Sequence, residues 1–184
     1  MKLKELLKNF KLNEVYGFPA FQQLKEYANQ QSDDIAILST LTPADMLMKN
    51  IKKYYYPIIP RGSRFNTAEE IIDADLEVIT VYVENTEEIS REDFVTIVSR
   101  HPATIEIIKK EYPNNEIFTG NVTVEEIQNK NVVGTLPADY AAVAAVYKPC
   151  VIENFNAAVD SDLSGEEFEK RFKILPAVKV QISK

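Results

Sequence analysis

The clearest local pattern is Phe94-Val95-Thr96-Ile97-Val98, which runs directly into Ser99-Arg100-His101-Pro102. The first five residues are mostly β-branched or aromatic and predict a strand. Residues 103–112 place isoleucines at helical spacing and end with two lysines, which indicates an amphipathic helix with cations at its negative pole. A strand that passes through a short polar turn into a helix is the building block of α/β proteins.

Strands and helices keep alternating towards the C-terminus. The predicted strands cover 116–119, 132–133, 150–155 and 177–182, and the predicted helices cover 123–128, 138–147 and 165–172, the last with Ser164 as its cap. Such alternation with short connections is typical of a parallel sheet, and right-handed crossovers place helices on both of its faces. We therefore predict an α/β fold with a mostly parallel sheet for this half.

The N-terminal half is expected to form an α+β extension or small domain. Its predicted elements are helices at 3–10, 20–29 and 42–54, strands at 34–38 and 76–83, an extended segment at 54–60 and a short helix capped by Thr67. The acidic, polar segment 85–92 predicts a boundary between residues 1–88 and a domain of residues 89–184. No repeat and no low-complexity segment is evident.

Charge and hydropathy limit the possible partners. The 184 residues include 28 acidic and 21 basic side chains, which gives a net charge of −7. Proteins that bind long nucleic acids usually carry a basic excess, so we do not expect such a partner. No apolar run is long enough to span a bilayer and no signal peptide is recognisable, so we expect no membrane partner and a cytoplasmic location.

Few residues are available for metal or cofactor chemistry. The chain has one cysteine, Cys150, and one histidine, His101, so sites built from several of these residues are excluded. It also lacks the glycine-rich patterns of dinucleotide-binding and Walker-type proteins. We expect no cofactor and no metal, and we interpret Cys150 as a structural thiol on an apolar strand.

The loop Ser99-Arg100-His101-Pro102 is the strongest candidate site. Ser99 offers a hydroxyl, Arg100 a two-pronged donor for phosphate, and His101 a proton donor or acceptor near neutral pH. Pro102 at the first helical position leaves the following amides free to face an anion. The alternative is a surface loop in which Ser99 caps the helix and His101 is solvated.

A second candidate loop is Gly134-Thr135-Leu136-Pro137. Gly134 permits close backbone approach, Thr135 offers a hydroxyl, and the helix after Pro137 offers amides. Taken alone, this loop is the weaker candidate, and an ordinary strand-to-helix turn is the favoured interpretation. Because ligands collect at the carboxyl ends of parallel strands, two such loops at neighbouring strand ends predict one cleft.

A third candidate lies in the first half of the chain. Arg61 and Arg64, with the tyrosines at 54–56, are consistent either with a platform for an anion and a base or with a basic turn beside a partly buried strand. The acidic groups at 73–77 and 160–167 are interpreted as solvated faces and a helix start.

The two loops, in their order and spacing, resemble a CRISPR-associated family, the Csx family numbered sixteen, which is found beside type III CRISPR systems. The resemblance covers roughly Phe94 to Ile182 and rests on the Ser-Arg-His-Pro and Gly-Thr-Leu-Pro loops, each followed by a helix, and on residues 163–167 at the start of the last helix. The family often has a histidine after its second strand, where this chain has Gly120-Asn121-Val122. The resemblance implies a Rossmann-like, CARF-like fold and a ring nuclease that acts on cyclic tetra-adenylate.

The resemblance also implies a mechanism and an assembly. Arg100 would stabilise the phosphate, His101 would act as acid or base, and Ser99 and Thr135 would hold phosphate oxygens or the 2′-hydroxyl that attacks without a metal. Gly134 and the amides of both helix starts, including those beside Pro102, Leu136 and Pro137, would cradle the ring. A symmetric ring favours a two-fold homodimer. The alternatives are a non-catalytic binder, either a sponge or a sensor module, and a structural or partner-binding domain.

Overall fold

A computed structural model describes residues 1–60, 62–153 and 165–183. Several residues named in the sequence-based predictions lie outside these ranges. They are the helix cap Ser164, Arg61 of the basic turn, residues 154–155 of the predicted fourth strand, and the acidic residues 160 and 162. The helices are α1 Leu3–Asn9, α2 Pro19–Gln22, α3 Leu24–Tyr27, α4 Pro43–Met48, α5 Ala68–Ala74, α6 Pro102–Glu111, α7 Val124–Ile127, α8 Ala138–Ala141 and α9 Gly165–Arg171. The strands are β1 Lys11–Tyr16, β2 Ile35–Ser39, β3 Lys53–Pro57, β4 Val78–Asn85, β5 Val95–Val98, β6 Asn115–Phe118, β7 Asn131–Gly134, β8 Val146–Ile152, β9 Phe172–Ile174 and β10 Val178–Ser183.

The chain forms two compact units. The first consists of Met1–Leu41, Lys49–Tyr82 and Gln181–Lys184, and the second of Thr42–Met48 and Val83–Val180. Helix α4, although it belongs to the N-terminal half of the sequence, packs against β8 in the second unit. The separate folding of residues 1–88 and 89–184 stays a prediction.

The first unit is α/β rather than α+β. Strands β1, β2 and β3 are parallel neighbours in that order, and β4 pairs with β3 in the antiparallel sense. Strand β1 was not predicted, because only Leu12 of its six residues is buried. A strand at the edge of a sheet, with a register irregularity, shows little of the alternation that marks a strand in sequence.

Helix α1 and the helices after β1 enclose the apolar core of this unit. Leu6, Leu12, Phe21, Leu38 and Ile71 have no exposed surface. Helix α5 begins as predicted, since the Thr67 hydroxyl accepts a hydrogen bond from the amide of Glu70 at 3.3 Å.

The second unit contains the predicted parallel sheet. Its strand order is β6-β5-β7-β8, all parallel, and β9 and β10 pair with β8 in the antiparallel sense. The α/β class and the mostly parallel sheet are confirmed. Strand β9 was not predicted.

Two predicted helices are shorter than expected. The helix expected at 42–54 ends at Met48, and Asn50 adopts a left-handed conformation with φ of 59°, as residues that stop helices often do. The helix expected at 138–147 ends at Ala141, and Tyr147 instead pairs with Val132 inside β8. In both cases strand pairing overrides the local preference for helix.

Candidate functional site

The two candidate loops lie side by side at one edge of the sheet in the second unit. Strands β5 and β7 are parallel neighbours with Val98 opposite Gly134, so both end at the same edge. The amide of Thr135 donates to the carbonyl oxygen of Val98 at 3.0 Å. The structure therefore brings the Ser99–Pro102 and Gly134–Pro137 loops together.

Gly134 makes this close approach possible. Its φ is 143°, and a Cβ atom built there would lie 2.0 Å from the carbonyl oxygen of Val98. Any larger residue would force the two strand ends apart, which agrees with the close backbone approach expected at this position.

Ser99 organises its own loop. Its side chain is almost fully buried, at 9% exposure, and its hydroxyl oxygen accepts a hydrogen bond from the amide of His101 at 3.1 Å. The Ser99 amide donates to the carbonyl oxygen of Phe118 at 3.2 Å. The serine thus folds a local turn and is not the cap of α6, whose N-cap residue is His101.

Arg100 is exposed and is held by a residue that the sequence analysis did not select. Its guanidinium donates to the side-chain oxygen of Asn121 at 2.6 Å. Asn121 follows β6, so the loops after three adjacent parallel strands meet at this edge. Its position directly after a predicted strand was the signal that could have identified it.

His101 is fixed by stacking instead of being solvated. Its ring lies parallel to that of Phe168 in α9, with centroids 4.8 Å apart and an angle of 5° between the planes. The Nδ1 atom is buried, with no hydrogen-bond partner among the described residues. Because Nδ1 is enclosed, Nε2 is the ring nitrogen left for a ligand.

Most polar groups of the second loop are already bonded within the protein. The amide of Leu136 donates to the Tyr147 hydroxyl, and that hydroxyl donates to the carbonyl oxygen of Gly134, both at 3.0 Å. The hydroxyl of Thr135 donates to the carbonyl oxygen of Cys150 at 3.4 Å. Leu136 is buried and Pro137 is exposed.

The start of α8 carries a carboxylate where free amides were expected. The Asp139 side chain accepts hydrogen bonds from the amides of Asp139 and Tyr140, which lower its pKa, but burial has the larger effect and raises it. Two amides at the start of α8 therefore already have a partner within the protein. At α6, a helix of ten residues, the amides of Ala103 and Thr104 have no acceptor in the described part of the chain.

Cys150 and Tyr54 have structural explanations. Cys150 is buried, and burial raises the pKa of its thiol, as expected of a structural cysteine. Tyr54 is 1% exposed and so offers no face for a base.

Lys148 contacts Glu88 at 2.8 Å and the Tyr112 hydroxyl at 2.9 Å. Burial alone would lower the pKa of Lys148, but these two partners outweigh it and the net pKa is raised.

Two general properties hold over residues 1–60, 62–153 and 165–183. No helix there is both long and apolar enough to cross a membrane. In the same ranges, no three side chains of His, Cys, Asp or Glu come together as a set of metal ligands.

The chain was compared with models of protein families, with curated proteins and with solved structures, and none of them matches it.

Proposed function

We propose that the second unit binds a small cyclic oligoadenylate at the ends of β5 and β7, and that it opens the ring. The observation that carries this proposal is the strand order. From β5 the chain moves to β6 on one side and then to β7 on the other, so the direction of winding reverses between β5 and β7. In open α/β sheets, ligands bind in the crevice outside such a reversal point.

The order β6-β5-β7-β8 also supports the Rossmann-like assignment implied by the family resemblance. It is the order in which doubly wound sheets of the flavodoxin type place their first four strands. Right-handed crossovers would put α6 and α7 on opposite faces of this sheet.

The groups beside this crevice support a ligand that carries phosphate groups. Arg100 is exposed, and its guanidinium has donors beyond the one used by Asn121. The unbonded amides of Ala103 and Thr104 lie in the first turn of a ten-residue helix, where the helix dipole favours an anion. Phosphate groups match both features.

The adenylate ring contains its own nucleophile, and the reaction balances without water. The ribose 2′-oxygen attacks the neighbouring phosphorus, the bond from phosphorus to the 5′-oxygen breaks, and the 2′-hydroxyl proton is transferred to the departing 5′-oxygen. The product is a linear chain with a 2′,3′-cyclic phosphate. Arg100 would stabilise charge on the phosphoryl oxygens, and Nε2 of His101 would transfer the proton.

One observation favours binding without cleavage as a second candidate function. His101 is the single histidine of the chain, and its Nδ1 faces no partner among the described residues. Asn121, at the position where the resembling family often has a histidine, cannot transfer a proton. A sponge or sensor module needs only the anion contacts.

A direct assay separates these functions. Purified protein is incubated with labelled cyclic tetra-adenylate in EDTA, and the products are resolved by chromatography. We expect linear product, a loss of affinity of at least 10-fold in Arg100→Ala, and a rate reduced about 100-fold with binding retained in His101→Ala. Lys109→Ala, at the far end of α6, is the control and should match the natural sequence.

The outcomes are distinct. Binding that depends on Arg100 with an intact ring on release supports the sponge or sensor. Absence of binding, or binding that Arg100→Ala leaves unchanged, contradicts the proposed site. The homodimer stays a prediction, tested by light scattering against the 20.9 kDa mass of one chain.

A further inference from the structure

The two units repeat one order of strand pairing. In the first, β1, β2 and β3 are successive parallel neighbours and β4 is antiparallel to β3. In the second, β5, β7 and β8 are successive parallel neighbours and β10 is antiparallel to β8. The second unit differs by an insertion between the first two strands of this series, which consists of β6 and α7, and by the additional strand β9 before β10.

The register matches at the loops. Tyr16 lies opposite Ser39 in the first unit, as Val98 lies opposite Gly134 in the second. The amide of Thr40 donates to the carbonyl oxygen of Tyr16 at 3.0 Å, which is the same bond, at the same distance, as that from Thr135 to Val98. Thr40 and Thr135 therefore occupy equivalent positions.

The sequence agrees with this structural equivalence. Thr40-Leu41-Thr42-Pro43-Ala44-Asp45 corresponds to Thr135-Leu136-Pro137-Ala138-Asp139, with one extra residue in the first loop. The match follows chain order, because residues 42–45, which continue the loop of the first copy, pack within the second unit. The helical segments after the first strands both begin with Pro-Ala, at Pro19 and Pro102, and both end in Lys-Glu-Tyr-X-Asn, at 25–29 and 110–114.

The cores agree as well. Extending the register places Tyr54 at the position of Tyr147, and both are 1% exposed. Each lies opposite a buried valine of the antiparallel strand, Val81 for Tyr54 and Val178 for Tyr147. Tyrosine is seldom fully buried, because its hydroxyl then needs a hydrogen-bond partner. Two fully buried tyrosines at equivalent positions therefore favour a structural relationship between the units.

The last helices complete the correspondence. Helices α5 and α9 each have seven residues and two glutamates in the first turn. The fourth residue of each, Ile71 and Phe168, is fully or almost fully buried.

We propose that the chain is an internal duplication whose first copy keeps the backbone of the loop pair but lacks its chemistry. Between Tyr16 and Pro19 the first copy has only Gly17-Phe18, where the second has Ser99-Arg100-His101. The first unit is thus a counterpart of the ligand-binding unit without the guanidinium and the imidazole. One chain carries one equipped loop pair, a consequence that rests on the proposed function.

Returning the missing residues tests this proposal. Gly17-Phe18 is replaced by Ser-Arg-His, and the control graft is Ser-Ala-Ala at the same place. Because a Cβ at Gly17 would lie 2.4 Å from the Thr40 hydroxyl, a second pair of grafts also carries Thr40→Ala, which removes that hydroxyl. Folding is followed by circular dichroism and thermal melting, and binding by calorimetry with 2′-deoxy cyclic tetra-adenylate, which cannot be cleaved by 2′-oxygen attack.

We expect at least one Ser-Arg-His graft to melt within a few degrees of the natural sequence and to bind more rings per chain at saturation. The Ser-Ala-Ala graft should fold without this gain. Folded grafts that bind no more rings than the natural sequence overturn the equivalence of the two loop pairs, as does failure of every graft to fold. If the natural sequence binds no ring, the proposed function fails, and the melting data alone then decide whether the loops are interchangeable.

Discussion

At the scale of single residues, the meeting of the two loops depends on a position without a side chain. The backbone at Gly134 comes so close to Val98 that only glycine fits, and its φ lies where other residues are strained. Ser99 then folds the neighbouring turn through the amide of His101. The arrangement of the two loops therefore depends on backbone contacts at Gly134 and His101.

Gly134→Ala should lower the free energy of unfolding by about 3 kcal/mol, through backbone strain and overlap with Val98. Urea denaturation measures this change. Gly120→Ala is the matched control, because nothing lies within 4 Å of a Cβ there. Equal effects of the two substitutions would contradict the close approach.

The carboxylate of Glu116 should contribute to the pH dependence of stability. Lys130, at 2.6 Å, and the hydroxyl of Thr96, at 2.7 Å, hold the pKa of Glu116 below its usual value. Because the folded pKa is depressed, the stabilisation is present above about pH 4.3, the unfolded value, and is lost as pH falls through the folded pKa. The pair is partly exposed, so we expect less than about 1 kcal/mol.

Glu116→Gln should therefore be less stable than the natural sequence at pH 7, and this difference should shrink as the pH falls below about 4.3, as measured by urea denaturation at each pH. Glu106→Gln, on the exposed side of α6, serves as the control. A stability difference that is constant with pH would show that the ion pair has no role.

At the scale of helices and strands, the sequence predicts the second unit better than the first. Strands β5 and β7 are short β-branched runs that continue into helices after Pro102 and Pro137, and each has the expected position. The helix expected at 138–147 ends at Ala141. The preference of alanine for helices acts locally, whereas the pairing of Tyr147 with Val132 joins residues far apart in the sequence and overrides it. Asn121 and Phe168 were missed as partners of the site for the same reason.

Tyr147 connects β8 to the second loop, so removing its hydroxyl should destabilise the loop. Tyr147→Phe leaves the buried amide of Leu136 without this acceptor and should cost about 1 to 3 kcal/mol. Urea denaturation gives the cost, and hydrogen exchange at the Leu136 amide should become faster. Tyr140→Phe is the control on α8, and an unchanged exchange rate at Leu136 would contradict the proposed connection.

At the scale of the whole molecule, the sequence conceals the relation between its halves. The shared motifs are short, and the insertion of β6 and α7 places Thr135 farther from Pro102 than Thr40 is from Pro19. Strand order and register do not depend on that spacing, so they expose the duplication that a reading of residues alone did not.

The most direct test of the account is an NMR titration of the full chain, labelled with ¹⁵N, with 2′-deoxy cyclic tetra-adenylate. We predict that the largest shifts occur at the amides of Arg100, Ala103 and Thr104 and at the side-chain amide of Asn121. Shifts confined to other surfaces, or no shifts at saturating ring concentration, would contradict a ligand site where β5 and β7 end.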